Sequence, residues 1–234
     1  MKSRSWVLAL LVVVITFATG SFKSEHSECG ASETASVPRD NPEWSRKAVA
    51  LEHLTAGAKY VMIGDSLTER LPREIAAEIF NGKQPFNAGI GGDTLANLNW
   101  RISRLDIRRA RIITFLGGAN DIAQHAASPE YAARGIGSAV HKLREYAPEA
   151  EIFLIAVLPT GLEAGSITEK IQQTNDSLRR CQWDSHVHFL DLGDYLTAGP
   201  SPVPQILMPD KIHLSREGYL RILPALKRAL SSYL

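Results

Sequence analysis

Short apolar runs alternate along this chain with longer stretches in which apolar residues recur every three or four positions. The first pattern predicts buried strands and the second amphipathic helices. Strands are predicted at 60–63, 111–116, 151–158 and 187–190. Helices are predicted at 43–54, where Trp44, Ala48 and Leu51 share a face, and at 67–80, interrupted near its start by Pro72. Further helices are expected at 94–105, at 129–146 with Pro148 closing it, at 168–183, and at 215–233. Ser215 is the expected N-cap of the last, Glu217 lies in its first turn, and Pro224 should kink it. Val- and Ile-rich strands separated by helices predict a parallel sheet covered on both faces. In such sheets a ligand sits beyond the carboxyl ends of the strands.

The first 42 residues break this rhythm. Lys2 and Arg4 precede an apolar run, Trp6 to Ala18, interrupted only by Thr16, and Ala18-Thr19-Gly20 supplies small residues after it. This is the layout of an export signal over residues 1–20. At about 13 residues the run is short for a membrane span, which needs about 20; an uncleaved N-terminal anchor is the alternative the same run allows. Residues 21–42 are polar and carry two prolines, Pro38 and Pro42, which predicts a flexible leader outside the catalytic fold. One domain is left, 43–234.

Charge and cysteine content narrow the class. With 26 basic and 25 acidic residues, the chain lacks the basic surplus of a nucleic-acid binder. Lys2 and Arg4 are the only charges before Ser21, so removing the signal turns a net +1 into −1. Two cysteines, Cys29 and Cys181, exclude a disulfide-dense scaffold and a four-cysteine zinc site. They could pair in an oxidising compartment, although Cys29 falls in the leader.

The candidate chemistry follows the strand ends. Gly64-Asp65-Ser66-Leu67 places a serine on a strand-to-helix turn. Asn87-Ala88-Gly89-Ile90-Gly91-Gly92-Asp93-Thr94 is a glycine-rich loop that can turn backbone amides toward a ligand. Gly117-Gly118-Ala119-Asn120-Asp121 offers a side-chain amide, and Asp210-Lys211-Ile212-His213 offers a carboxylate and an imidazole three residues apart. Each motif alone is ordinary turn or cap chemistry. Together they can converge on one rim with a nucleophile, a base, an orienter and oxyanion donors. Asp65 and Asp121 read as turn and cap acceptors.

In order and spacing the four blocks resemble the SGNH hydrolases, or GDSL esterases and lipases. The stretch 87–94, continued by Leu98-Asn99-Trp100-Arg101, is most similar to the platelet-activating-factor acetylhydrolase catalytic-subunit group. The resemblance spans about residues 59–233. It implies a flavodoxin-like three-layer α/β/α sandwich and ester hydrolysis with no metal and no cofactor. It further implies Ser66 as nucleophile, His213 as base and Asp210 as its orienter. The oxyanion hole would comprise the amides of Ser66 and Gly92 and the side chain of Asn120. Gly89 and Gly91 lie close by; Gly92 is chosen because it directly precedes the Asp-Thr of the block. Trp100 and Arg101 would brace that block.

Other constellations carry less. Gly64-Asp65-Ser66-Leu67-Thr68 lacks the second glycine of a Gly-x-Ser-x-Gly elbow. His186 and His188 share a strand face near Asp191, a weak metal pattern that more often reflects packing or surface histidines. His125 could rim the pocket. The expected function is therefore that of an exported serine esterase acting on a small acyl ester, acetyl by subgroup resemblance, the alcohol being a lipid, a sugar or a xenobiotic. Acyl transfer, a lysophospholipase-type lipase and a non-catalytic carbohydrate- or lipid-binding module are the alternatives. The subgroup resemblance also makes a homodimer, and the N-terminus a membrane association, worth testing.

Overall fold

A computed structural model describes residues 34–163, 165–197 and 201–234. The expected signal and most of the leader, with Cys29, lie outside the described residues; Cys181 is disulfide-bonded. The elements run α1 Pro42–Leu54, β1 Tyr60–Gly64, α2 Ser66–Glu69, α3 Arg73–Ile79, β2 Phe86–Gly89, α4 Leu95–Ile102, β3 Ile112–Leu116 and α5 Ala119–Ala123. They continue as α6 Pro129–Tyr146, β4 Glu151–Ile155, α7 Ser166–Arg180, β5 Val187–Leu190, α8 Gly193–Leu196 and α9 Arg216–Leu230.

The five strands form one parallel sheet in the order β2-β1-β3-β4-β5. This is the flavodoxin-like order, whose direction of winding reverses between β1 and β3, and that switch point is where such sheets open a crevice. The strand residues alternate between two cores. Val61, Ile63, Ile113, Phe115, Ile152 and Leu154 face α4, α6 and α7. Met62, Ile112, Leu116, Phe153 and Ile155 face α3 and α9. The near-continuous apolar runs are explained by this, since both faces are dry.

The departures from the expected elements have local causes. A fifth strand, β2, was not among the expected four; in Phe86-Asn87-Ala88-Gly89 only Ala88 is buried, because this is an edge strand. The expected helix 67–80 is two helices, α2 and α3, with Pro72 as the N-cap residue of the second. Pro lacks the N–H that a continuous helix would need there. The expected strand 151–158 stops at Ile155. Helix α6 has the expected bounds, its N-terminus capped by Ser128 accepting from Tyr131 N–H and followed by Pro129 at the first helical position. Helix α9 runs through Pro224.

The end of the leader is tied to the domain rather than free of it. Val37 N–H donates to Ala96 O at 3.2 Å, and Asn97 Nδ2 returns a bond to Val37 O at 3.1 Å. Asn41 caps α1 through Trp44 N–H, and the indole of Trp44 donates to Asp93 Oδ1 at 2.5 Å.

Candidate functional site

Ser66 opens α2 immediately beyond β1, where Asp65 Oδ1 accepts the Leu67 N–H at 2.9 Å and fixes the turn. Asp65 is completely buried, and burial pushes its carboxyl up to about 7, against the Leu67 amide that lowers it. Tyr219 from α9 donates to Leu67 O at 2.8 Å, so the Ser66 turn is also held by the last helix.

His213 Nε2 lies 2.9 Å from Ser66 Oγ, and His213 Nδ1 lies 2.7 Å from Asp210 Oδ2. Asp210 Oδ1 accepts the backbone N–H groups of Ile212 at 3.0 Å and His213 at 2.6 Å. Partial desolvation pushes the Asp210 carboxyl up, but these amides and the imidazole outweigh it and hold the group at about 2. It is therefore ionised throughout the neutral range, as an orienting group for a cationic imidazole must be. The loop is set by Lys211, at a left-handed φ of 67°, whose carbonyl accepts Gly161 N–H at 2.8 Å. A Cβ on Gly161 would come within 2.9 Å of the Lys211 Cα, so the loop after β4 and the Asp210–His213 loop pack backbone to backbone.

The glycine loop after β2 leaves one amide unused. Gly89 N–H donates to Asn87 Oδ1, Ile90 N–H to Gly64 O, Gly91 N–H to Glu69 Oε2, and Asp93 N–H to Ile90 O. Gly92 N–H has no acceptor among the described residues, and neither has Ser66 N–H. The loop runs past the serine at Gly91, the residue before Gly92, where an added Cβ would lie 3.6 Å from Ser66 Cβ. Asn120 supplies a third donor. Its Nδ2 donates to Asp93 O at 2.8 Å and its Oδ1 accepts from Gln124 Nε2 at 2.8 Å, which fixes the amide plane and leaves one N–H available. All five residues expected from the sequence thus meet at the switch point of the sheet.

Beneath them lies a buried polar layer. Arg101 is 1% exposed and donates to Asp93 Oδ2 at 2.6 Å, Ala88 O at 2.8 Å and Gly64 O at 3.0 Å. It joins the loops after β1 and β2. Burial pushes the Asp93 carboxyl up, while the Arg101 guanidinium and the Trp44 indole pull it back. Asp121 Oδ2 accepts Leu95 N–H at 2.9 Å, tying the Asn120 turn to the start of α4. Trp100 packs on Trp44 with ring centroids 5.4 Å apart, and the Arg104 guanidinium lies over the Trp100 ring, 4.7 Å from its centroid.

The remaining candidates go elsewhere. His186 pairs with Asp184 at 3.2 Å, His188 with Glu151 at 2.7 Å, and Asp191 with Arg179, so the two imidazoles do not share a ligand set with Asp191. His125 lines a cavity of about 400 Å³ with Thr94, Asp121 and Tyr131, flanking the residues that follow the two loop donors. Sequence reasoning missed Glu69, Gln124, Arg39 and Trp44, each of which acts on the site through a contact distant in sequence or carries no motif.

The position of Asn120 makes a prediction. Asn120→Ala removes one donor of three, and kcat for an ester should fall about 10²–10³-fold with little change in KM, as measured by steady-state kinetics.

Comparisons with known proteins are consistent with this geometry. A family model described as the GDSL-like Lipase/Acylhydrolase family matches residues 54–221. The human protein named platelet-activating factor acetylhydrolase IB subunit alpha1 is 30% identical over 174 residues, covering 73% of this chain and 74% of that one. A GDSL-like lipase from Bacteroides thetaiotaomicron superposes with a TM-score of 0.66 at 18% identity, covering 82% of this chain and 97% of its own. A carbohydrate acetylesterase from Sinorhizobium meliloti superposes with a TM-score of 0.58 at 19% identity, covering 75% and 99%.

Proposed function

The chain belongs to the GDSL-like lipase/acylhydrolase family and is an ester-hydrolysing enzyme, and from that premise we propose that it is a serine esterase of short acyl esters, acetyl above all. The observation that carries this reading is the unbroken line from Asp210 through His213 to Ser66 Oγ, with contacts of 2.7 Å and 2.9 Å, facing three donors that have hydrogens to spare.

The chemistry follows from those contacts. His213 Nε2 takes the proton of Ser66 as Oγ forms a bond to the ester carbonyl carbon. The carbonyl oxygen becomes an anion held by the N–H groups of Ser66, Gly92 and Asn120, which are already in place and cost no reorganisation. The C–O bond to the alcohol then breaks, and the alcohol leaves with the proton from His213. Water, deprotonated by the same imidazole, releases the acid and restores Ser66. Asp210 keeps the imidazole in the tautomer that presents a bare Nε2 to the serine.

The acetyl preference is supported by the relatives named an acetylhydrolase and an acetylesterase. A series of aryl esters from acetyl to decanoyl tests both parts of the reading with the purified chain. The expected result is the highest kcat/KM for acetyl, falling at least about tenfold by hexanoyl, since each methylene that a pocket cannot house is worth about 10–200-fold. A rate that rises with chain length would replace the acetyl reading with a lipase. No hydrolysis of any member would overturn the esterase reading, and an acylated sugar in place of free acid would make the chain a transferase. Export belongs to the same proposal and rests on Lys2, Arg4 and the apolar run after them. It is tested by whether protein recovered outside the cytoplasm begins near Ser21.

A further inference from the structure

Gly91 O and Gly92 N–H belong to one peptide unit and so point in opposite directions. Whatever fixes the carbonyl therefore aims the amide. The carbonyl is held from outside the glycine loop: Arg39 Nη1 donates to Gly91 O at 3.1 Å. Arg39 is close enough that a Cβ on Gly92 would meet Nη1 at 2.7 Å and Nη2 at 3.3 Å.

This peptide is the one most able to turn over. Residues 90–93 form a four-residue turn closed by Asp93 N–H donating to Ile90 O at 3.3 Å, with Gly92 in the third position at a φ of 78°. That φ is the type II value. The type I alternative keeps the same closing bond and differs by a rotation of the central peptide, which here is the Gly91–Gly92 unit. With glycine at both central positions, neither form meets a Cβ penalty. Rotation would carry the Gly92 N–H to the opposite side of the turn. Trp44 on the Asp93 carboxylate and Glu69 on the Gly91 N–H hold the flanking groups, but of these three contacts only the one from Arg39 is made to the rotating carbonyl.

We propose that Arg39, in the segment preceding α1, is a positioning residue that locks the Gly91–Gly92 peptide so that the Gly92 N–H faces the oxyanion. Gly91 O is the hydrogen-bond acceptor of the guanidinium, whose charge also acts at longer range on the Asp93 carboxylate of the same turn. A cationic donor on the carbonyl also polarises the peptide and strengthens the N–H at its other end. Arg39 lies outside the 54–221 stretch matched by the family, so the family likeness assigns it no role. The inference rests on the serine-esterase reading, and in particular on Gly92 as a donor.

Three variants of the full chain, Arg39→Ala, Arg39→Lys and Ser66→Ala, are compared on an aryl acetate. Arg39 is exposed, so the fold should tolerate its loss, with a Tm within about 2 °C of the parent. For Arg39→Ala, kcat should fall at least about tenfold, up to the about 10²–10³-fold that a whole oxyanion donor is worth, with KM changed less than twofold. Arg39→Lys should keep part of the rate, and methylguanidinium at tens of millimolar should restore Arg39→Ala in a saturable way. A merely structural contact would not give that rescue. Parental kcat in Arg39→Ala, or a loss that neither lysine nor methylguanidinium relieves, overturns the proposal while inactive Ser66→Ala leaves the esterase reading standing. Active Ser66→Ala overturns the esterase reading itself.

Discussion

Ser66→Ala is expected to remove turnover of an aryl acetate almost entirely, by about 10⁶-fold in kcat, the size of effect seen when the nucleophile of a serine triad is deleted. The hydroxyl is the only atom lost. Ser66 is 8% exposed and its Oγ bonds His213, so the variant gives up one hydrogen bond and opens no cavity. Its Tm should stay within about 3 °C of the parent, because one such bond is worth about 1 kcal/mol and a domain of this size moves about 2–4 °C per kcal/mol. His213→Ala should cost a similar factor. The double variant should be no slower than either single one, because the two groups act as a unit and a serine without its base has nothing left to lose. Residual activity in Ser66→Ala above about 1% of parent, in protein free of contaminating esterase, would rule out Ser66 as the nucleophile.

Arg101→Met should be the most destabilising single change near the site that leaves Ser66, Asp210 and His213 untouched. The methionine keeps much of the stem volume, so the loss is chiefly of charge and donors. Asp93 keeps only the Trp44 indole on its carboxylate, and the carbonyls of Ala88 and Gly64 lose the side-chain donor they share. Breaking a buried pair from one side costs about 3–5 kcal/mol, or about 6–20 °C in Tm for a domain of this size. Adding Asp93→Asn should recover part of that stability, because the stranded charge is removed. It should not recover activity, since the loops after β1 and β2 would still lack their common anchor. Thermal and urea unfolding of the two variants decides this; an Arg101→Met protein that melts within about 3 °C of the parent would show that the pair does not hold these loops together.

How much of this was legible in the sequence depends on whether the signal was local. Ser66, Asn120, Asp210 and His213 were, because each sits in a short motif at a strand end or before the last helix, and a parallel sheet brings such ends to one rim. Helix α6 was legible from Ser128, Pro129 and a long amphipathic stretch. Strand β2 was not, because an edge strand with one buried residue has no apolar run to read. Gly92 could be picked from its neighbours only by the family pattern; the physical reason, that the other loop amides are already bonded, needs Glu69, Asn87 and the carbonyls of Gly64 and Ile90 in place. The role of residues 36–41 was illegible for a related reason. Polar, proline-containing sequence reads as tether, and nothing in it announces that Val37 and Arg39 bond to α4 and the glycine loop.

The contact between Ser66 and His213 spans 147 positions of the chain. A contact of that range forms only once the intervening strands have paired and α9 has closed over the far face, so parallel sheets of this kind fold slowly. On the proposed mechanism hydrolysis is then a report on completion: a ribosome-bound chain stalled after β5 would carry Ser66, Gly92 and Asn120, yet lack His213. The enzyme would then stay inert while it is being made, and refolding followed by ester hydrolysis would time the last step of assembly rather than the first.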